Sequence, residues 1–152
     1  MSATNDQLGA GALIVTPTYN ERYNLPLFVR ATLEVAPKAH LLIVDDSSPD
    51  GTGDVADELA KSDDRIRVLH RPGKMGLGTA YVQAFERGLG EGYQYFFEMD
   101  TDLSHDPNYL PAFFRALHEG YDVVIGSRNV EGGGVEGWAE ALRQQGVKRA
   151  LS

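Results

Sequence analysis

The sequence predicts an α/β fold in which a mostly parallel, Rossmann-like sheet is flanked by helices. Short apolar runs alternate along the 152 residues with segments whose apolar positions recur at helical spacing. One apolar run, beginning at Tyr95, leads directly into two carboxylates, Asp100 and Asp102, and then into a helix start. Alternating strands and helices are typical of a parallel sheet with right-handed crossovers.

The first part of the chain is predicted to contain a tail, a strand and a helix. Residues 1–11 are small and polar and are expected to form a flexible tail, so that a single domain spans 12–152. Residues 12–16 form the first strand, which ends at Pro17. Asn24 is a candidate N-cap for a helix that ends before the next proline.

The middle of the chain continues the alternation. Residues 40–44 form the second strand, and 45–52 have the composition of a turn. A helix face over 55–60 precedes a third strand at 66–69. A glycine-rich loop then leads into a helix whose apolar positions lie between 80 and 89.

Beyond the carboxylate strand the pattern predicts two more helices and one more strand. Asp106 is a candidate N-cap, with Pro107 at the first helical position. Residues 122–126 form a fifth strand, and 138–150 form a weakly patterned final helix.

Composition excludes several classes of function. The net charge of −8 and the pI near 4.9 argue against a nucleic-acid-binding protein, which would need a basic face. The chain has no cysteine, which excludes disulfides and thiol catalysis. Because no apolar run has the length of a membrane span, and residues 1–11 lack the features of a signal peptide, a cytoplasmic location is the default expectation.

The carboxylate pair predicts a divalent metal site. Ligands of open α/β sheets bind beyond the carboxyl ends of the strands, where Asp100 and Asp102 are expected to lie. Residues i and i+2 of a strand share a face, so both could reach one Mg²⁺ or Mn²⁺ held jointly with a diphosphate. Ser104 could complete the coordination or instead cap the next helix. His105 is expected beside the site rather than on the metal, since the neighbouring ligands are hard oxygens.

Polar residues after the first two strands are candidates for nucleoside binding. Asp45 and Asp46 could accept hydrogen bonds from a ribose or base, although residues 45–52 also have the composition of a turn. Pro17, Tyr19 and Glu21 could form the wall of a base pocket, and an ordinary loop with a buried tyrosine is the alternative.

Two cations are available for phosphate at the same sheet edge. Arg128 offers a planar fork and Lys74 a point charge, and a solvent-facing charge is the alternative for either. The segment 76–78 resembles a phosphate cradle, but the chain has no P-loop signature.

Six motifs in order resemble the family 2 glycosyltransferases of the GT-A fold, close to the polyprenyl-phosphate (dolichyl-phosphate) mannosyltransferases. The matching segments lie between about residues 12 and 138. They are PTYNE at 17–21, VDDSSPDGT at 44–52, KMGLGTAY at 74–81, MDTDLSH at 99–105, GSR at 126–128, and GGGV at 132–135 with Trp138.

The resemblance implies metal-dependent transfer of mannose from GDP-mannose to a polyprenyl phosphate, with inversion at the anomeric carbon. It also implies peripheral contact with a membrane, because the acceptor is a lipid. The guanosine would be held by Pro17, Tyr19, Glu21, Val44 and Asp46. The diphosphate and sugar would be contacted by Asp100, Thr101 and Asp102, with Asp102 on the metal, and by Arg128. The catalytic residues would be Asp100, Asp102 and Arg128.

The sequence departs from the family pattern in three ways. Thr101 stands where the family usually has alanine, and the match after Trp138 is poor. Family members also continue well past residue 152, so the chain is expected to be the donor-binding part of a C-terminally truncated domain.

Three other functions compete with the mannosyltransferase. The chain could be a truncated relative that binds a nucleotide sugar without transferring it, or a family 2 enzyme with a glucose donor. A receiver-like phosphoacceptor domain would use Asp45 or Asp46 with Asp100, Ser127 and Lys148. It fits less well, because one strand would be surplus and Lys148 lies in a helix-like stretch.

Overall fold

The computed structural model describes residues 5–127. The chain divides into two compact units, 1–108 and 109–152, and the described part of the second unit is 109–127. Each unit is described separately below.

The first unit contains a four-stranded, entirely parallel sheet, which confirms the predicted fold class. The strands are β1 (Ala12–Thr18), β2 (His40–Asp45), β3 (Ile66–His70) and β4 (Tyr95–Glu98). Their spatial order is β3-β2-β1-β4. Because β1 and β2 have a neighbour on each side, they are the most buried strands, and both are almost continuously apolar.

Three helices connect these strands, and each lies where the apolar periodicity predicts it. They are α1 (Asn24–Val35), α2 (Thr52–Ser62) and α3 (Leu77–Gly90). Asn24 is not the N-cap of α1: Tyr23 occupies that position, and Asn24 Nδ2 instead donates to Glu21 Oε2 at 2.8 Å.

A continuous apolar core lies between the sheet and α3. Successive side chains of a strand alternate between the two faces of a sheet. One face therefore presents alternate residues of β1 and β2 to α3. The buried members of this cluster are Leu13, Val15, Leu42, Val44, Ala80, Tyr81 and Ala84.

Residues 5–11 have a short helix and backbone hydrogen bonds to the residues before β2, although residues 6, 7, 10 and 11 are exposed. Asn5–Gln7 form a 3-10 helix. The Lys38 N–H donates to the Leu8 carbonyl at 2.9 Å, and Gly9 approaches Ala39 too closely to carry a side chain. Backbone hydrogen bonds, which composition does not reveal, hold this segment in place.

A helical segment begins at Pro107, as predicted, and its first three residues form a 3-10 turn. Pro107–Tyr109 form this turn, and Asp106 Oδ1 accepts from Asn108 N at 2.9 Å. In the second unit α4 follows at Leu110–His118.

The predicted fifth strand at 122–126 is wrong: within 109–127 only Val124 forms a β-bridge. The predicted helix at 138–150 lies outside the described residues. None of the helices in the described part of the chain combines the length and the apolar character needed to cross a bilayer.

Candidate functional site

Four loops meet at the carboxyl edge of the sheet, because all four strands are parallel. These loops carry most of the predicted site residues, and hydrogen bonds join them in the order of the strands.

Asp45 is a buried structural acceptor at the end of β2. Its Oδ1 accepts from Thr18 Oγ1 at 2.8 Å and from Ser48 Oγ at 2.7 Å, while its Oδ2 accepts from Ser48 N at 3.1 Å. These bonds fasten the β1 end to the turn after β2. Two roles were predicted for Asp45, nucleoside binding and stabilisation of the turn. Its observed contacts are those of a turn-stabilising residue.

Asp46 forms a two-point ion pair with Arg71. Arg71 Nε donates to Oδ1 at 2.6 Å and Nη2 donates to Oδ2 at 2.7 Å, and the Arg71 side chain is 3% exposed. Asp46 raises the pKa of Arg71 through these bonds. Each carboxylate oxygen keeps a further lone pair, so Asp46 can still accept a hydrogen bond from a ligand.

Sequence reasoning missed Arg71 as a functional residue. The same guanidinium donates from Nη1 to Thr79 Oγ1 at 2.8 Å and from Nη2 to the Gly76 carbonyl at 3.3 Å. It therefore fixes the glycine-rich loop before α3 to the end of β2. An arginine directly after a predicted strand was the available signal, but its buried partner could not be identified without the structure.

Lys74 and Tyr19, both predicted site residues, are in direct contact. Lys74 Nζ lies 3.8 Å from the centroid of the Tyr19 ring, the geometry of a cation–π pair. The ring is 39% exposed, so part of it faces solvent. The contact brings a cation and an aromatic surface together from loops that follow different strands.

Glu21 and Pro17 lie at the rim of the same edge. The Glu21 N–H donates to Thr52 Oγ1 at 3.0 Å, and its carboxylate accepts from Asn24. Pro17 lies within β1, opposite Val44 in the register, and is partly exposed.

Val44 lies in β2 one residue before Asp45. Its side chain is fully buried and packs in the core cluster beneath α3. Only its backbone is therefore available to a nucleotide.

The backbone of Asp100 is hydrogen-bonded to a histidine five residues later. The Asp100 N–H donates to His105 Nδ1 at 3.1 Å, and His105 Nε2 lies 3.7 Å from Asp100 Oδ2. Because Nδ1 is an acceptor, the ring proton is on Nε2 and faces the carboxylate. His105 is therefore placed beside the predicted ligand, as the sequence suggests.

Asp102 and Ser104 form a tight turn. Asp102 is exposed, and its Oδ1 accepts from Ser104 N at 2.9 Å. Leu103 between them has a φ of +63°, which is uncommon for a bulky residue. This turn presents Asp102 and Ser104 together at the strand end.

The side chain of Thr101 lies inside the protein rather than at the surface of the site. It is 2% exposed, and its hydroxyl lies 2.8 Å from that of Thr16 in β1. A side chain so enclosed is not available to a diphosphate, so only the Thr101 backbone could contact a donor.

Tyr81 and Glu98 lie close enough to Asp100 for its charge to act on both. Burial, with the charges of Asp100 and Glu98, raises the pKa of the Tyr81 phenol well above its ordinary value. Partial desolvation, then the charge of Asp100, raises the pKa of Glu98. This concentration of negative charge would be relieved by a bound cation.

The donor set fits a hard divalent ion shared with a ligand. Among residues 5–127 no three acidic or histidine side chains form a cluster able to hold a metal ion alone. Two carboxylates at a strand end, with a hydroxyl in the same turn, leave coordination positions for water and phosphate oxygens, as Mg²⁺ and Mn²⁺ prefer. Arg128, the remaining predicted cation, lies outside the described residues.

Comparison with known proteins identifies relatives over most of this chain. It is 52% identical over 127 residues to a polyprenol monophosphomannose synthase of Mycolicibacterium smegmatis, covering 83% of this chain and 48% of that protein. It is 48% identical over 126 residues to an undecaprenyl-phosphate mannosyltransferase of Micrococcus luteus, covering 83% and 51%. The chain thus spans about half the length of the curated relatives it matches.

A solved structure shows the same fold. The mannosyltransferase PcManGT from Pyrobaculum calidifontis, in complex with GDP-Man and Mn²⁺, superposes with a TM-score of 0.58 at 19% identity, over 82% of this chain and 36% of that one. The family profile described as glycosyl transferase family 2 matches residues 13–150, which confirms the family predicted from the motifs. The chain belongs to glycosyl transferase family 2.

Proposed function

We propose that this chain is the donor-binding part of a polyprenyl-phosphate mannosyltransferase. The observation that carries the proposal is the cation–π contact of Lys74 with Tyr19, at the same sheet edge as Asp100 and Asp102. The edge thus combines an aromatic surface, a cation and a carboxylate pair, which are the groups that a nucleoside diphosphate sugar requires. The two relatives near 50% identity support mannose as the sugar and a polyprenyl phosphate as the acceptor.

The residues have distinct proposed roles in donor binding. The guanine ring would stack on Tyr19 beside Pro17, with Glu21 and Asp46 accepting hydrogen bonds from the nucleoside. Lys74, and Arg128 by its motif, would contact the phosphates or the sugar. The backbone at Thr101 would pass along the diphosphate, and the backbone at Val44 would contact the guanosine.

The metal would be held by Asp102 and Ser104, with Asp100 oriented toward the diphosphate and sugar by His105. A bound Mg²⁺ or Mn²⁺ supplies neutralisation of the charge that develops on the departing diphosphate. Asp100, Asp102 and Arg128 remain the proposed catalytic residues. A phosphate acceptor is largely ionised near neutral pH, so the transfer does not require a strong general base.

Calorimetric titration of GDP and GDP-mannose, with and without Mn²⁺, tests the donor site. We expect Mn²⁺-dependent binding to the wild type and its loss in Asp102→Ala. Asp64→Ala is the matched control, because Asp64 is an exposed aspartate in the turn before β3, at the opposite edge of the sheet. Failure of the folded wild type to bind either ligand would overturn the proposal.

The second candidate is nucleotide-sugar binding without transfer, which needs only the donor-binding groups at this sheet edge, such as the Lys74–Tyr19 pair. A transfer assay with a polyprenyl phosphate separates the two functions, because a binding protein would show GDP affinity without turnover. Preferential binding of GDP-glucose or a UDP-sugar would overturn the mannose assignment but not the fold.

A further inference from the structure

Thr16 and Thr101 form a buried pair of hydroxyl groups behind the carboxylate segment. Thr16 lies in β1 and is fully buried, and Thr101 follows β4. Their Oγ1 atoms are 2.8 Å apart, and Thr101 Oγ1 lies 3.4 Å from the Pro17 carbonyl oxygen. If Thr16 donates to Thr101, Thr101 can donate in turn to Pro17, so every hydroxyl proton in this chain of bonds has an acceptor.

The pair lies where the regular pairing of β4 with β1 stops. The register ends at Val15 opposite Glu98, and the Met99 N–H then donates to the Val15 carbonyl at 3.1 Å. Beyond Met99 the chain turns away from the sheet. The Thr101 hydroxyl therefore continues the attachment to β1 with side-chain bonds where the backbone ladder has ended.

The two sides of the segment face different surroundings. The Thr101 side chain is enclosed against β1, whereas Asp102 is exposed and the Asp100 side chain is 47% exposed. The hydroxyl contact lies between the two acidic residues along the chain. A shift of Thr101 relative to Thr16 would therefore move both carboxylates together.

We propose that the Thr16–Thr101 hydroxyl pair is a positioning element that sets the distance of Asp100 and Asp102 from the end of β1, and so from Tyr19 and the loop that follows β1. This inference rests on the proposed donor site. It assigns Thr101 to orientation of the segment, and Thr16, which has no other assigned role, to the same task. The pair would keep the metal-binding turn in register with the nucleoside-binding loop.

Valine substitutions separate positioning from simple stabilisation. Valine has the shape of threonine without the hydroxyl. Thr101→Val therefore leaves the buried Thr16 hydroxyl without its partner, whereas Thr16→Val leaves Thr101 bonded only to the Pro17 carbonyl. The double variant replaces both hydroxyls, which restores a consistent apolar contact. However, two methyl groups pack at about 3.5–4.0 Å, so the segment must move away from β1 by roughly 1 Å relative to the hydrogen-bonded pair.

The experiment measures thermal unfolding and Mn²⁺-dependent GDP binding for each variant. We expect Thr101→Val to lose roughly several degrees of melting temperature. Thr16→Val should lose less, because Thr101 keeps its bond to the Pro17 carbonyl. The double variant should regain most of the Thr101→Val loss but still bind GDP at least about tenfold more weakly with Mn²⁺, since sites of this kind tolerate only about 0.5 Å of displacement. Thr101→Ser retains the hydroxyl and should bind within about twofold of the wild type, a difference of under about 0.5 kcal/mol.

Thr32→Val is the matched control. Thr32 is fully buried in α1, and its hydroxyl has no hydrogen-bond partner in the described part of the chain. The same change of atoms there should leave Mn²⁺-dependent GDP binding unchanged.

The outcomes distinguish this inference from the proposed function. Wild-type affinity in the double valine variant, or binding losses that simply follow melting temperature, would overturn the positioning role and leave the donor site intact. Absence of GDP binding in the wild type would overturn both.

Discussion

Arg71 and Asp46 join the ends of β3 and β2 through a buried, two-point ion pair with donor–acceptor distances of 2.6 and 2.7 Å. The remaining Arg71 donors reach Thr79 and Gly76, at the start of α3. One side chain therefore holds the loop that carries Lys74. The acidic residue predicted to face the ligand is, at the same time, the anchor of that loop.

The first prediction concerns this ion pair. Arg71→Lys keeps the charge but cannot donate to both oxygens of Asp46, so buried acceptors lose partners and the free energy of unfolding should fall by about 1–3 kcal/mol. GDP should also bind more weakly, because the Lys74 loop is released. Urea unfolding and calorimetry measure the two effects.

Arg87→Lys provides the control for Arg71→Lys. Arg87 pairs with Glu91 on the exposed surface of α3, at 3.0 Å. Its replacement should change the stability by less than about 0.5 kcal/mol. Equal effects of the two substitutions would contradict the role assigned to Arg71.

The second prediction concerns Lys74. Lys74→Gln removes the charge beside Tyr19 and should weaken GDP binding about three- to tenfold at low salt, with a smaller salt dependence than the wild type. Titrations at several salt concentrations measure both quantities. Lys61→Gln, on the exposed surface of α2, is the control. A Lys74 variant with wild-type affinity and salt dependence would exclude a phosphate contact.

The third prediction concerns the packing of α3 on the sheet. A Cβ at Gly88 would lie 2.6 Å from Phe96 Cε1 and 2.8 Å from Leu13 Cδ2. Alanine usually stabilises a helix relative to glycine by about 1 kcal/mol, but here the overlap should dominate, and Gly88→Ala should destabilise by about 1–3 kcal/mol. Chemical denaturation measures the change.

Gly90 provides the control. A Cβ there would meet no atom within 4 Å, so Gly90→Ala should leave the stability unchanged or raise it. If both alanine variants have the unfolding free energy of the wild type, Gly88 does not pack closely against Phe96 and Leu13.

The fourth prediction concerns His40, at the sheet edge opposite the site. Arg67 Nη2 donates to the Tyr93 hydroxyl oxygen at 2.9 Å, so the hydroxyl proton points to His40 Nδ1 at 2.5 Å. Burial, followed by the charges of Arg67 and Arg65, lowers the pKa of His40 and outweighs the opposite effect of Asp63 and Glu91.

The sign of the pH effect follows from this lowered pKa. The unfolded chain binds a proton at His40 near pH ~6.5, before the folded protein does. Stability from neutral His40 is therefore complete above about pH 6.5 and is lost as the pH falls through the folded pKa. Unfolding free energies measured between about pH 5 and 8 should depend less on pH in His40→Gln than in the wild type. An unchanged pH dependence would contradict the assignment.

The sequence predicts the sheet well because its strands are buried and short. The apolar runs of β1 and β2 have no helical alternative of sufficient length, and the polar turn at 45–52 marks the end of β2. The first strand does not end at Pro17 as predicted, since β1 continues through Pro17 to Thr18. The fifth strand was predicted from an apolar run alone, and that prediction is wrong. A strand also needs a neighbouring backbone to bond with, and within 109–127 only Val124 forms a β-bridge.

The sequence by itself determined the order of strands and helices, the carboxylate pair at a strand end and the family motifs. These depend on local periodicity and on residue types at fixed spacing. The tertiary structure alone decided which of two adjacent aspartates is enclosed by Thr18 and Ser48 and which is paired with Arg71. It also decided that Thr101 faces Thr16 rather than a ligand. These partners are separated by up to 85 residues along the chain, and only the packing of the strands brings their side chains together.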